Sequence, residues 1–567
     1  MYADYHELDP STPQTGADPD VSDVRERGID SERSAFAPAR QEPSGIRVGH
    51  AVEPVLVTTG DRFDRFDRPD VVMREGRYAL TNGHMTPRES MIEDLLAIGD
   101  ALERAEIPCL LVRDDAGRPI IAVDRARRKQ LAAALASAFA HEPFYAEPIA
   151  PERAVGRGAV LLADGRLAGH KKASAMRVYR PRVEPAGRLR YGPETAVQLE
   201  LWRFGEETLV APLPNAVMRA SMPRREAVGE TVLRFGREWQ TIQHMWEPLA
   251  SDVTFDIDMV FSWVDGSSTE FQRARAERMA GYVVGEGDDS EARFRQIDEL
   301  KYALRSVHMY APWVRRIFIA TDSPVPAWLA EHPRITIVRA EQMFADPSVL
   351  PTHNSHAVEA QLHNIEGLSE HFLYSNDDMF FGRQLEPDAF FSPGGVTKFV
   401  EATTRIGLGE TDPGRSGHDN AARFNRSLLR ERFGAVTTRH LEHCAAPLRR
   451  SVLAEMEREF PEDFRRTAAS RFRSATDISV TNSLYHYYAL MTGRAVQQRA
   501  VKVQYVETTL RASLPAMDRL LRKRDQDMFC LNDGSRPELD ADERNTAVTE
   551  FLEAYFPIPA PWERRGA

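Results

Sequence analysis

Between residues 257 and 381 the apolar positions fall into short runs separated by longer amphipathic stretches. The runs at 257–264, 317–320, 335–338 and 372–376 have the length and aliphatic or aromatic content of buried strands. Between the first two, Ile297, Leu300, Leu304 and Val307 step by three and four residues, one stripe of a helix over about 294–310. A second helical stretch covers 357–365. Strands alternating with helices predict a mostly parallel, Rossmann-like α/β sheet. The last run, Phe372-Leu373-Tyr374-Ser375-Asn376-Asp377-Asp378-Met379-Phe380-Phe381, interrupts its own pattern with two adjacent carboxylates. Asp-Asp is poor strand material and costly to bury unpaired. The pair belongs at the carboxyl end of the strand, where open α/β sheets bind ligands.

The rest of the chain divides around this core. Residues 1–50 carry almost no large aliphatics and are expected to be a disordered tail. Residues 51–245 read as an accessory α+β domain, and 246–567 as the domain that holds the acid pair. In the accessory part, Val55-Leu56-Val57 is a strand signal and Thr86-Pro87-Arg88-Glu89 a capping box opening a helix. Runs at 109–112 and 120–123 flank Asp114-Asp115-Ala116-Gly117 as a hairpin, a helix spans about 124–140, and strands follow near 160–163, 197–202 and 208–210. His170-Lys171-Lys172 reads as a solvated loop, and residues 267–293 as a polar insertion. After the acid pair, helices are expected near 420–432, 448–460 and 477–488, and the charged end as a short tail.

Composition narrows the function. The 567 residues are 42% apolar and 28% charged, an ordinary soluble balance that calls for more than one core. A net charge of −12 argues against nucleic acid as the main partner. The chain has 66 arginines and seven lysines, better explained by coding bias than by phosphate recognition. Three cysteines without a CxxC pair exclude a disulfide framework and a cysteine-built zinc site. No apolar run reaches the ~18 residues of a membrane span, and the acidic start has no signal-peptide h-region. A cytoplasmic protein is expected, with peripheral association with the inner membrane compatible and a homo-oligomer neither required nor excluded. No phosphate-binding glycine loop is present, which counts against an ATPase or a nicotinamide enzyme.

Three motifs share one form: Trp263-Val264-Asp265-Gly266, Ser375-Asn376-Asp377-Asp378 and Leu531-Asn532-Asp533-Gly534, each after an apolar run. Singly, each is ordinary turn chemistry. Together they supply carboxylate and amide oxygens suited to Mg²⁺ or Mn²⁺, with Asp377, Asp378, Asn532 and Asp533 as candidate ligands. His440 and His443 are donors, proton carriers or surface residues. Arg471 and Arg473 have the chemistry of a phosphate clamp.

In this order the motifs resemble the Stealth family, the sugar-1-phosphate transferases of bacterial capsule synthesis, with animal GlcNAc-1-phosphotransferase as a relative. The similar blocks are 256–266, then 293–313 on to Asn376-Asp377-Asp378-Met379-Phe380-Phe381-Gly382, then 443–488 with Arg471-Phe472-Arg473-Ser474, then Cys530-Leu531-Asn532-Asp533. Two departures stand out: Cys444-Ala445-Ala446-Pro447 where His-x-Pro is more usual, and Gly534 where an acidic or amide residue is common. The resemblance implies transfer of a hexose-1-phosphate from a UDP-sugar to a hydroxyl of a polysaccharide or glycan acceptor, releasing UMP. It implies catalytic roles for Asp265, Asp377, Asp378, His443 and Arg473, and substrate contacts from Trp263, Gly266, Asn376 and Arg471. A metal-dependent glycosyltransferase releasing UDP and a carbohydrate-binding relative without turnover stay open as alternatives.

Overall fold

The run at 257–262 is apolar apart from Asp258 and a terminal serine, and it forms the middle of a five-stranded sheet. The computed structural model describes residues 66, 68–149, 158–167, 173–266, 272–273, 297–534 and 537–564. Strands β1 (Ile257–Ser262), β2 (Ile317–Ala320), β3 (Ile335–Val338) and β4 (His371–Asn376) pair in parallel in the order β3-β2-β1-β4. An antiparallel strand, Ala446–Arg449, covers the outer side of β4. It carries Pro447 opposite Leu373, and an edge is where a strand tolerates proline. With neighbours on both sides, β4 is buried along its length: Phe372, Leu373, Tyr374 and Ser375 are at most 1% exposed.

The side chains of β1 and β4 alternate between two cores. Met259, Phe261, Trp263 and Leu373 pack on one face with helix α1 (Glu299–Tyr310), whose Leu300, Leu304 and Val307 form the expected stripe. Val260, Phe372 and Tyr374 pack on the other, with Leu448 and the Tyr485–Met491 helix. Burying each such aromatic or aliphatic side chain contributes roughly 1.5–3 kcal/mol. Asp258 is fully buried inside β1 and accepts from Arg315 Nη2 (2.6 Å), Arg315 Nε (2.9 Å) and the Ser369 amide (2.8 Å).

The N-terminal part is an α+β layer in which Pro87–Arg104 starts with the Thr86/Glu89 capping box. Cys109–Arg113 and Pro119–Asp124 form the hairpin, and Arg128–Ala138 packs against the first helix. The sequence pattern missed its short strands, among them Val71–Arg74, Tyr145–Pro148, Ala175–Tyr179 and the hairpin Gly229–Arg234/Arg237–Ile242. Residues 61–567 form one compact unit, and Leu189 and Tyr191 of the N-terminal part pack into the same core as β1. The molecule is a mixed α/β protein with several sheets.

Other expectations shift in detail. The helix expected over 357–365 is split into Ser355–Glu359 and a 3-10 turn, Leu362–Asn364. The helix expected from Leu448 starts at Arg450, because 446–449 are claimed by the sheet. The aromatic helix near 477–488 opens with a π-turn, Val480–Leu484, before Tyr485–Met491. The charged end is docked: Trp562 is fully buried and Glu563 pairs with Arg305 at 2.7 Å. The tail 1–50, the strand at 55–57, the basic cluster at 170–172 and nearly all of the insertion at 267–293 lie outside the described residues.

Asp258→Ala removes a buried carboxylate that holds four donors, Arg315 twice and the Ser369 and Arg316 amides. It is expected to cost about 3 kcal/mol, read as a lower urea midpoint; an unchanged midpoint would show the pair to be dispensable.

Candidate active site

Strand register brings the sequence motifs to one sheet edge. Ser262 of β1 lies opposite Asn376 of β4 and beside Ala320 of β2, so residues 263–266, 321–323 and 376–378 emerge together. The chain turns at Asp377-Asp378 into β5 (Met379–Phe381), which pairs antiparallel with a strand far along the chain, Met528–Asn532. Met379 faces Cys530, and the Leu531 amide donates to the Asp378 carbonyl at 2.9 Å. The two Asn-Asp motifs therefore lie side by side.

Asn376 is fixed by the sheet beneath it: its Oδ1 accepts from Tyr374 Oη (3.1 Å) and Ser262 Oγ (3.2 Å), which are 2.7 Å apart. Asp378 is half-buried. Its Oδ2 accepts from the Cys530 thiol at 3.4 Å, and its Oδ1 is sealed from solvent with no hydrogen-bond donor among the described residues. Burial pushes its carboxyl up to about 6; the thiol pulls the other way, and Asp533 and Glu299 add to the rise. A carboxyl poised near neutrality, with one oxygen sealed and undonated, is what acid–base or metal chemistry requires. Asp377 sits beside it on the turn, half-buried.

The second wall comes from three later elements: α2 (Gly417–Phe433), the short strand β6 (Arg439–Leu441), and β7 (Val503–Glu507), which runs parallel to Met528–Asn532. Tyr505 of β7 joins the walls. Its hydroxyl accepts from Asn532 Nδ2 at 2.6 Å, and its ring meets His443 edge-on at 5.3 Å between centroids. His443 is held below the usual imidazole range by burial first, then by His440 and Arg473. Arg473 Nη2 donates to Ser355 Oγ at 2.9 Å. Its stem lies flat on the start of α2, where a Cβ at Gly417 would stand 2.6 Å from Arg473 Cβ. Glu359, fully enclosed, accepts from the Thr481 hydroxyl at 2.8 Å; burial raises its carboxyl, with Thr481 and Arg473 opposing.

The remaining candidates are less central. Asp265 follows β1, and its amide donates to Ser323 Oγ at 2.8 Å. Trp263 packs into the core, its buried Nε1 lacking a partner among the described residues. The Gly266 carbonyl accepts from Gln272 at 3.1 Å. Arg471 contributes its carbonyl to the His353 amide (2.8 Å), so its clamp role is not what fixes it here. Asp533 accepts from the Thr508 hydroxyl and lies 4.0 Å from Arg544 Nε, so it is engaged with protein donors.

Among the described residues no three His, Cys, Asp or Glu side chains are set to hold a metal. The sealed, undonated Oδ1 of Asp378 fits one bond to an oxygen-seeking cation. That suits Mg²⁺ carried by one or two carboxylates with substrate phosphates, not a protein-built cage. The structure also accounts for Gly534: a Cβ there would stand 1.7 Å from Glu507 Oε1, so the carboxylate of β7 occupies the space of a side chain at 534. Tyr505, Glu507 and Glu359 escaped the sequence reading. The strand carrying the first two is only five residues long, and Val503-Gln504-Tyr505-Val506-Glu507 does not alternate.

Comparison with known proteins gives the family. Models of the four Stealth conserved regions match at 255–283 (region 1), 293–399 (region 2), 442–490 (region 3) and 518–567 (region 4). The exopolysaccharide phosphotransferase CpsY of Mycobacterium tuberculosis is 58% identical over 90% of this chain and 95% of its own. An exopolysaccharide phosphotransferase of Nocardia farcinica is 54% identical over 86% of this chain and 90% of its own. The solved galactosyltransferase LgtC covers 54% of this chain and 97% of its own at 12% identity and a TM-score of 0.28, too distant for anything to follow from it. On the strength of the four matched regions and the high-coverage relatives, the chain belongs to the Stealth family of phosphotransferases and is a transferase enzyme.

Proposed function

We propose that the protein transfers a hexose-1-phosphate from a UDP-sugar to a hydroxyl of a polysaccharide or glycan acceptor, releasing UMP. The observation that carries this reading is the meeting of opposite chemistries at one sheet edge. Asp378, with its sealed oxygen, faces a wall where Tyr505 links Asn532 to His443, with Arg473 behind. Carboxylate oxygens suit a divalent ion on the donor's diphosphate, and the guanidinium and imidazole suit charge developing on phosphorus.

In this reading the acceptor oxygen attacks the β-phosphorus as the bond from that phosphorus to the bridging oxygen breaks, and UMP leaves. His443, kept neutral by burial, takes the acceptor's proton. Arg473, braced on Gly417 and Ser355, meets the phosphoryl oxygens. Asp265 and Gly266, just beyond β1, face the nucleotide with Asn376, and Trp263 supports this edge from the core beneath it. Mg²⁺ or Mn²⁺, when bound, supplies charge neutralisation at the diphosphate, with Asp378 as first ligand and Asp377 or Asn532 beside it. Among the described residues no helix is long and apolar enough to cross a membrane.

Incubation with UDP-GlcNAc and an oligosaccharide should release UMP; release of UDP would instead make this a glycosyltransferase. Asp378→Asn should lower kcat by at least a thousandfold. Because its carboxyl is raised in the folded chain, ionisation there opposes folding, and this penalty grows as pH rises through about 6. The Asn variant should therefore match or exceed the wild-type Tm at pH 8, whereas a fall of several degrees would mark a structural role. Ionised Asp378 also sets the acid limb of kcat/KM at or below about 6, and raising Mg²⁺ should move that limb down as ion and proton compete. A limb indifferent to Mg²⁺ counts against Asp378 as a ligand. Gly417→Ala, which displaces Arg473, should reduce kcat about a hundredfold with little change in donor KM; wild-type kcat would show Arg473 to be a bystander.

A further inference from the structure

The second wall contains two histidines that no matched region covers. Residues 400–441 lie between the region-2 and region-3 matches, and they carry His418 and His440. His418 is on the first turn of α2. Its ring stacks on His440 at 5.0 Å between centroids and 23° between planes, and meets His443 at 5.9 Å and 56°. His443 in turn is edge-on to Tyr505 at 77°. The four rings form one chain of contacts, stacked, tilted and edge-on in turn, leading to Asn532, which the Tyr505 hydroxyl holds.

The placement of His418 is fixed twice over. Ser416 caps α2, its hydroxyl accepting from the Asp419 amide at 3.2 Å. Gly417 then lies flush against the stem of Arg473, so the helix start cannot shift without moving that arginine. One segment outside the matched regions thus braces both His443 and Arg473.

We propose that His418 is a positioning residue of the transfer site: packed between His440 and His443, it fixes the plane of the His443 ring against Tyr505 and so aims the ring nitrogen that takes the acceptor's proton. This rests on the transferase reading. In the step concerned, the acceptor oxygen bonds to phosphorus as its proton passes to His443, and the proton leaves to solvent after UMP departs. His418 touches no reacting atom. The groups that face His443 are His418 from α2, His440 from β6, Tyr505 from β7 and Arg473; Asp419 and Arg423 act on His440. None of the four facing His443 is an acid. The packing is that of a neutral, oriented imidazole.

The test uses the full chain with His418→Ala and His418→Phe. The wild type and both variants are compared by kcat, donor and acceptor KM, and NMR titration of the His443 ring without substrate. His418→Ala should lower kcat at least tenfold with donor KM within twofold. It should also move the His443 titration to higher pH, since a ring that shields it from water is gone. His418→Phe, which restores a ring but no charge, should recover most of kcat and return the titration toward wild type. A His418→Ala kcat within twofold of wild type overturns the proposal, as does a Phe variant no better than Ala. Should the wild type release no UMP, the transferase reading fails on its own. The NMR arm still decides: His443 shifts and titration unchanged in His418→Ala would show that His418 does not set that ring.

Discussion

The pairing of Met379–Phe381 with Met528–Asn532 is the contact on which the site depends. It joins segments about 150 residues apart, and the loop-closure entropy of that join grows only slowly with length. What holds it is burial: Phe380, Phe381, Phe529 and Leu531 are at most 2% exposed, and Phe380 and Phe529 stack at 5.2 Å. The same pairing delivers Cys530 to Asp378 and Asn532 to Tyr505. A carboxyl in that position loses water and gains only a thiol, which is why it stands near 6 instead of near 4. The raised carboxyl of Asp378 is thus a consequence of how two hydrophobic strands close over it.

Much of this was legible in the chain itself. The apolar run ending in Asn-Asp-Asp announced a buried strand with acids at its end, and the run before Asn532-Asp533 announced a second motif of the same form. That the two would lie side by side was not legible, because antiparallel pairing between distant segments leaves no local periodicity. The edge strand at Ala446–Arg449 was hidden for a related reason: four residues containing a proline read as a helix approach, and only β4 makes them a strand. The short strands of the N-terminal part were lost the same way, several being two to five residues long. Helices with strong local chemistry came through, above all Pro87–Arg104 with its capping box.

The two walls divide the work by environment. On one side, desolvation raises a carboxyl; on the other, desolvation first, then His440 and Arg473, lower an imidazole. Both shifts narrow the gap between acid and base, the condition for proton movement near neutral pH. The site's departures from the family pattern fit the same picture. Gly534 has no side chain because Glu507 fills its place, and Cys444 is a buried core residue packed with β1 and α1. The N-terminal part is continuous with this core through Leu189 and Tyr191.

The central claim is that the bond broken lies between the two phosphorus atoms of the donor. It is tested most directly with UDP-GlcNAc carrying a heavy-oxygen label at the non-bridging positions of the β-phosphate. After turnover the label should appear in the acceptor as a phosphodiester, seen by phosphorus NMR, with unlabelled UMP in solution. Label recovered in free UDP, with no phosphorus in the acceptor, would contradict the account.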